Sequence, residues 1–238
     1  MHPSPHISAF PPPAGLAQRL GERLGAPVHS FSQLGQLADI AAPCAAMVDF
    51  ADVASRLARV ARFNGAAKDG GRGLAFSVAQ HSVMGAQALM VEGESRHTAA
   101  LFLLHDAHEY VIGDITAPAA SLITEVMEGM ASGGGELYRA AVERIKDGWD
   151  AAIYAAAGLP APMVWPSRVA RVIRQMDARM CAAEAEALFG ASARRAMPAS
   201  KFPPPRTRGA VEPWGAMKAE EEFSSLLRNL VQPARCAA

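Results

Sequence analysis

Cysteine is scarce in this chain: only Cys44, Cys181 and Cys236 occur among 238 residues. An odd, widely spaced trio shows no metal-ligand spacing, which argues against both a disulfide scaffold and a zinc ribbon. Aromatic residues make up 6% and β-branched runs are few, while alanine supplies much of the 50% hydrophobic fraction. Helices are therefore favoured over sheets. Charge of one sign is lacking too, since 23 Lys and Arg balance 23 Asp and Glu. That balance disfavours binding to nucleic acid or a membrane surface through bulk charge, so no stable nucleic-acid partner is expected. No apolar run approaches the roughly eighteen residues of a membrane helix. The Ile40–Val48 stretch is short and broken by Pro43. The start, Met1–His6, lacks the charged and apolar regions of a signal peptide. A soluble, cytoplasmic, all-α protein without a membrane partner is expected.

What the chain does have is punctuation. Residues 1–46 carry Pro3, Pro5, Pro11, Pro12, Pro13 and Pro27, and read as a proline-rich, partly disordered extension. A short helix is expected around Leu16–Leu24. The amphipathic pattern begins at Phe50, where Val53, Leu57, Val60 and Ala61 share one helical face. Gly65–Gly73 is a flexible loop by composition, either a flap over a pocket or an uninvolved surface loop. Ser77 is placed to cap a helix reaching Val91, and Ser95 or Thr98 another reaching Val111, closed by Gly113 with Pro118 beyond. Further helices are expected over about 135–157 and 167–189. Residues 191–213, with Arg194, Arg195, Lys201, Arg206 and Arg208, read as an irregular basic connector. A final helix from about Pro213 to Val231 carries Trp214, Met217, Phe223, Leu226, Leu227 and Leu230 on one side. It should dock on the body, because so apolar a stripe is marginal alone in water. The expected organisation is an extension over 1–46, a helical domain over 47–190, and a connector plus docking helix over 191–238.

Ionisable residues on buried helical faces are informative. Ala99–Leu104 is apolar all round, and His105, Asp106, His108 and Glu109 follow within one turn. His105 and Glu109 are four apart and so are expected as neighbours on one helical face. Burying such a cluster without compensation costs several kcal/mol, whereas a bound cation offsets the cost, since imidazole and carboxylate both ligate divalent metals. His81 sits among Val78, Gly85 and Leu89, and Asp177 among Ile173, Met180 and Cys181. A lone helical His is more often a core residue than a ligand, and a lone helical Asp usually faces solvent. Together, two His and two Asp on three expected helices make a plausible closed ligand set.

His81, the doublet His105-Asp106 and the distant Asp177 resemble the H…HD…D signature of the HD-domain metal-dependent phosphohydrolases. The surrounding segments Arg62-Phe63-Asn64-Gly65, Ala75–Ser82, Leu104–Ile115 and Met176–Met180 with Glu184 are similar to the 5′-deoxynucleotidase-like branch of that superfamily. The resemblance runs from about Met47 to Phe189. It implies a compact helical bundle holding a divalent ion through His81, His105, Asp106 and Asp177. It assigns Glu109 and Asp114 as catalytic carboxylates and Arg62 as the contact to substrate phosphate. His108 departs from the pattern; an exposed helix position is expected, the alternative being an extra metal ligand or a residue that backs one. The two histidines and two carboxylates admit Mn, Co, Zn, Fe or Mg.

The activity this implies is a nucleotidase releasing phosphate from deoxynucleoside 5′-monophosphates. The enzymatic alternative is a dNTP triphosphohydrolase, with the basic connector folded over the site. A third reading, of another class, is a non-catalytic metal-stabilised regulatory or scaffold protein. The resemblance also suggests a homodimer, for which the Trp214–Leu230 stripe is one surface, although docking within the chain is the expected use of that stripe.

Overall fold

The computed structural model describes residues 23–32, 35–68 and 73–231. The proline-rich start, the middle of the glycine-rich loop and Cys236 lie outside these. So does the helix expected at Leu16–Leu24, except for Arg23 and Leu24, which are not helical.

Among the described residues the architecture is all-α, with one small hairpin at the front. Strands β1 (His29–Phe31) and β2 (Leu37–Asp39) pair antiparallel with Ser30 opposite Ala38. Asp39 pins the hairpin by accepting from the Val28 and Ala41 amides. The residues that follow the hairpin pack on the helices: the Trp149 indole donates to the Ile40 carbonyl at 3.2 Å, and Ala41 is buried.

Helix α1 (Phe50–Leu57) is capped by Asp49 and buries Val53, Ala54 and Leu57. It stops earlier than the apolar pattern suggested. Val60 and Ala61 are instead tied to the start of the next helix, α2 (Val78–Val91). The Val78 amide donates to Val60 and the Arg62 amide to Phe76, forming a bridge between Ala61 and Ser77. Ser77 caps α2 through the Gln80 amide, and Ser95 caps α3 (Arg96–Leu103) through the Thr98 amide, as the sequence pattern suggested.

The expected helix from Ser95 to Val111 is broken. His105 Nδ1 bonds the Phe102 carbonyl at 2.7 Å, taking an acceptor that a continuing helix would need. The chain then tightens, with bonds from Ala107 to Leu104 and from Glu109 to Asp106. A one-turn helix α4 (Glu109–Ile112) follows and ends at Gly113, where φ of 75° favours glycine.

Pro118 marks a beginning rather than an end. It sits in the first turn of α5 (Ala117–Met130), where its missing amide costs nothing. Helix α5 packs along α6 (Gly134–Ala156) and leaves Leu122, Val126 and Met130 exposed. The far half of α6 buries Trp149, Ile153 and Tyr154. Helix α7 (Ser167–Phe189) has the expected bounds. The expected connector is partly helical, with α8 (Ala191–Ala196) and a 3-10 turn at Pro198–Lys201. Helix α9 (Ala216–Val231) docks on α1, α2 and α3, burying Ala219, Phe223 and Leu227. Full burial of a side chain such as Phe223 contributes about 1.5–3 kcal/mol. Met217, expected in that stripe, is 75% exposed. No helix is long and apolar enough to cross a membrane among the described residues.

Helices α2 and α3 approach so closely at Gly85 that a Cβ there would lie 2.2 Å from Phe102 Cε1. Phe102 in turn stacks on the His105 ring at 4.2 Å between centroids. Gly85→Ala should therefore lower stability by about 1–3 kcal/mol, the usual cost of overpacking. Thermal unfolding followed by circular dichroism measures this, and an unchanged midpoint would contradict the packing.

Candidate metal centre

Four of the residues singled out in the sequence meet at one point. His81 comes from the N-terminal part of α2, His105 and Asp106 from the turn between α3 and α4, and Asp177 from α7. One ligand atom from each lies within 4.8 Å of the others. His81 Nε2 is 3.3 Å from Asp177 Oδ1 and 3.8 Å from Asp106 Oδ2. His105 Nε2 is 3.2 Å from Asp106 Oδ2 and 3.8 Å from Asp177 Oδ1.

The imidazoles are oriented from behind. His81 is fully buried, and its Nδ1 lies 2.6 Å from Glu184 Oε1, two turns along α7 from Asp177. His105 Nδ1 donates to the Phe102 carbonyl. With each Nδ1 engaged, each Nε2 is left without a hydrogen-bond partner and faces the carboxylates. An acceptor behind Nδ1 leaves Nε2 as the nitrogen placed to ligate a metal. The donor set suits a borderline divalent ion.

Arg62 does not follow directly on α1; its amide bond to Phe76 fixes it. Its Nε donates to Glu184 at 2.8 Å, and Nη1 lies 3.6 Å from Asp106. Its guanidinium is thus committed to a buried carboxylate while still lining the cavity described below. The next two residues, Phe63 and Asn64, have φ of 54° and 52°, a strained left-handed conformation. This turns the Phe63 ring into edge contact with Phe189 at 5.6 Å.

Glu109 and Asp114 reach the same cavity, of about 720 Å³, which Asp106, Asp177 and Arg62 also line. Its other wall is apolar, including Phe63, Ile115, Phe189, Met197 and Pro198. The segment expected to offer cations thus turns apolar side chains inward, and Arg194 pairs with Glu186 at 2.7 Å. Burial, reinforced by Asp106 and Asp114, pushes Glu109 up to about 9. Burial likewise raises Asp114. For Glu184, burial opposes ionisation, but Arg62 and His81 outweigh it and hold the carboxyl below its ordinary value.

His108 is not exposed, contrary to expectation. It is 5% exposed, and its Nδ1 lies 2.9 Å from Asp150 Oδ1 on α6. Sequence reasoning missed the roles of Glu184 and Asp150. The spacing from Asp177 to Glu184, seven residues and hence two turns on one face, was the available signal for the first. Nothing local marked the second.

No protein-family model matches the chain. An uncharacterized protein of Rhodobacter capsulatus is 35% identical over 162 residues, covering 66% of this chain and 71% of that protein. The chain belongs to that protein's family.

The raised pKa of Glu109 has a measurable consequence in metal-free protein. Near pH 4.5, its ordinary value, Glu109 begins to release its proton in the unfolded chain, while the folded protein keeps it until about pH 9. Stability should therefore fall as pH rises through that window. Glu109→Gln removes the group, so its melting-temperature advantage over the parent, measured in chelator, should widen from pH 5 to pH 9. A gap independent of pH would show that Glu109 ionises freely.

Proposed function

We propose that this protein is a metal-dependent phosphohydrolase acting on nucleotides, with deoxynucleoside 5′-monophosphates as its first substrates. The observation that carries the reading is the pair of buried, unpartnered Nε2 atoms of His81 and His105 facing Asp106 and Asp177. The resemblance to the HD-domain phosphohydrolases supports the same assignment, as does the cavity beside the cluster. In this reading these four residues would hold a divalent ion, which would supply an acidified water and a polarising charge for a phosphoryl oxygen.

The chain's own groups do the remainder. Glu109, with a raised pKa and no partner for its buried Oε2, orients water or moves a proton. Asp114 lies along the same wall and shares that task. Arg62, held rigid by Glu184, presents its guanidinium edge to the cavity and steadies a phosphate oxygen. The apolar wall from Phe63 to Pro198 takes the nucleoside. That wall also favours monophosphates over triphosphates, because the connector brings Ala193, Ala196 and Met197 to the cavity in place of its arginines.

The test adds divalent metals back to metal-free protein with a panel of mono- and triphosphates. Phosphate release from monophosphates is expected; tripolyphosphate release would select the alternative reading, and no release would overturn both. Glu109→Gln should reduce turnover roughly 10²–10⁴-fold, the usual contribution of general acid–base catalysis, while the ion at the four ligands remains. Asp177→Ala should lose that ion and the activity together.

A further inference from the structure

We propose that the site holds a second divalent cation, bound by Asp106, His108 and Glu109. This goes beyond the single-ion reading above and rests on it, since Asp106 is shared between the two groups.

The construction of His108 repeats that of the other two histidines. It is buried, an acceptor stands behind Nδ1, and Nε2 is left without a partner. Glu184 and the Phe102 carbonyl do for His81 and His105 what Asp150 does for His108. An ionised Asp150 can only accept, so it selects the tautomer in which Nε2 carries a lone pair. Glu109 adds an independent sign, because its Oε2 is also buried and unpartnered. One ligand atom from each of Asp106, His108 and Glu109 lies within 4.8 Å of the others. Two adjacent buried side chains, each with an unsatisfied atom beside one carboxylate, are costly without a counter-charge. A cation satisfies both at once.

One imidazole nitrogen and two carboxylates suit Mn, Fe, Co or Zn better than Ca. Neighbouring cations sharing a carboxylate supply a clamp on the attacking and leaving oxygens of a phosphoryl group. Glu109 then acts as a ligand that also positions water. The ordinary alternative is that the bond between His108 and Asp150 only ties α4 to α6.

The test is a Mn²⁺ titration of the metal-free full chain, followed by the EPR signal of the free aquo ion and by the spectrum of the bound ions. Two Mn²⁺ per chain with a spin-coupled spectrum are expected. His108→Ala should bind one, with an uncoupled spectrum. Asp150→Asn, whose amide can donate to Nδ1 and so reverse the tautomer, should weaken the second ion about 10–100-fold and spare the first. A single uncoupled Mn²⁺ in the parent overturns the proposal and leaves the one-ion reading standing. Binding of none overturns both. The parent stoichiometry decides the matter even if His108→Ala fails to fold, and retention of two coupled ions by a folded His108→Ala would equally overturn the assignment.

Discussion

The Glu184 carboxylate has no solvent exposure and sits between two partners, His81 Nδ1 at 2.6 Å and Arg62 Nε at 2.8 Å. Three elements meet there: α2 through His81, α7 through Glu184, and the strained turn after α1 through Arg62. A buried carboxylate of this kind is tolerated only when its oxygens are bonded, and removal of a partner would leave an uncompensated charge. The triad therefore fixes more than stability. It fixes the His81 ring from behind, turns Nε2 toward Asp177, and holds the Arg62 guanidinium against the cavity wall.

The rest of the centre follows the same logic of surplus negative charge. Asp106, Glu109, Asp114 and Asp177 all face one cleft, while the single arginine among its lining residues is already engaged by Glu184. Glu109 responds by holding its proton far above the ordinary carboxylate range. The nearby Cys181 thiol, pushed up to about 11 mainly by burial, stays neutral and adds no charge. An arrangement with unpartnered imidazole nitrogens and crowded carboxylates is better matched to a cation than to an empty, solvated pocket.

Much of this was legible in the sequence wherever one residue acts through its own periodicity. His81, His105, Asp106 and Asp177 stood out because each carries charge or polarity on a face that is otherwise apolar, and Ser77 and Ser95 announced their helices. What stayed hidden depends on partners far along the chain. The break after Leu103 arises because a side chain, His105, takes a backbone carbonyl, which no period count registers. Residues 191–201 read as basic by composition, yet their fold sends apolar side chains into the cleft. His108 looked like a surface residue because Asp150, its reason for being buried, lies 42 positions away on α6. Pro118 read as a stop where the structure uses it as the first turn of α5.

The central claim is that His81, His105, Asp106 and Asp177 ligate a divalent ion through nitrogen and oxygen alone. X-ray absorption at the metal edge of the zinc- or cobalt-loaded chain tests it directly. The account predicts a first shell of N/O scatterers at about 2.0–2.2 Å, the usual range for His and Asp ligands. It also predicts the outer-shell scattering of imidazole rings, reduced when His81 and His105 are replaced. A sulfur shell at about 2.3 Å, or a first shell unchanged by those replacements, would contradict it.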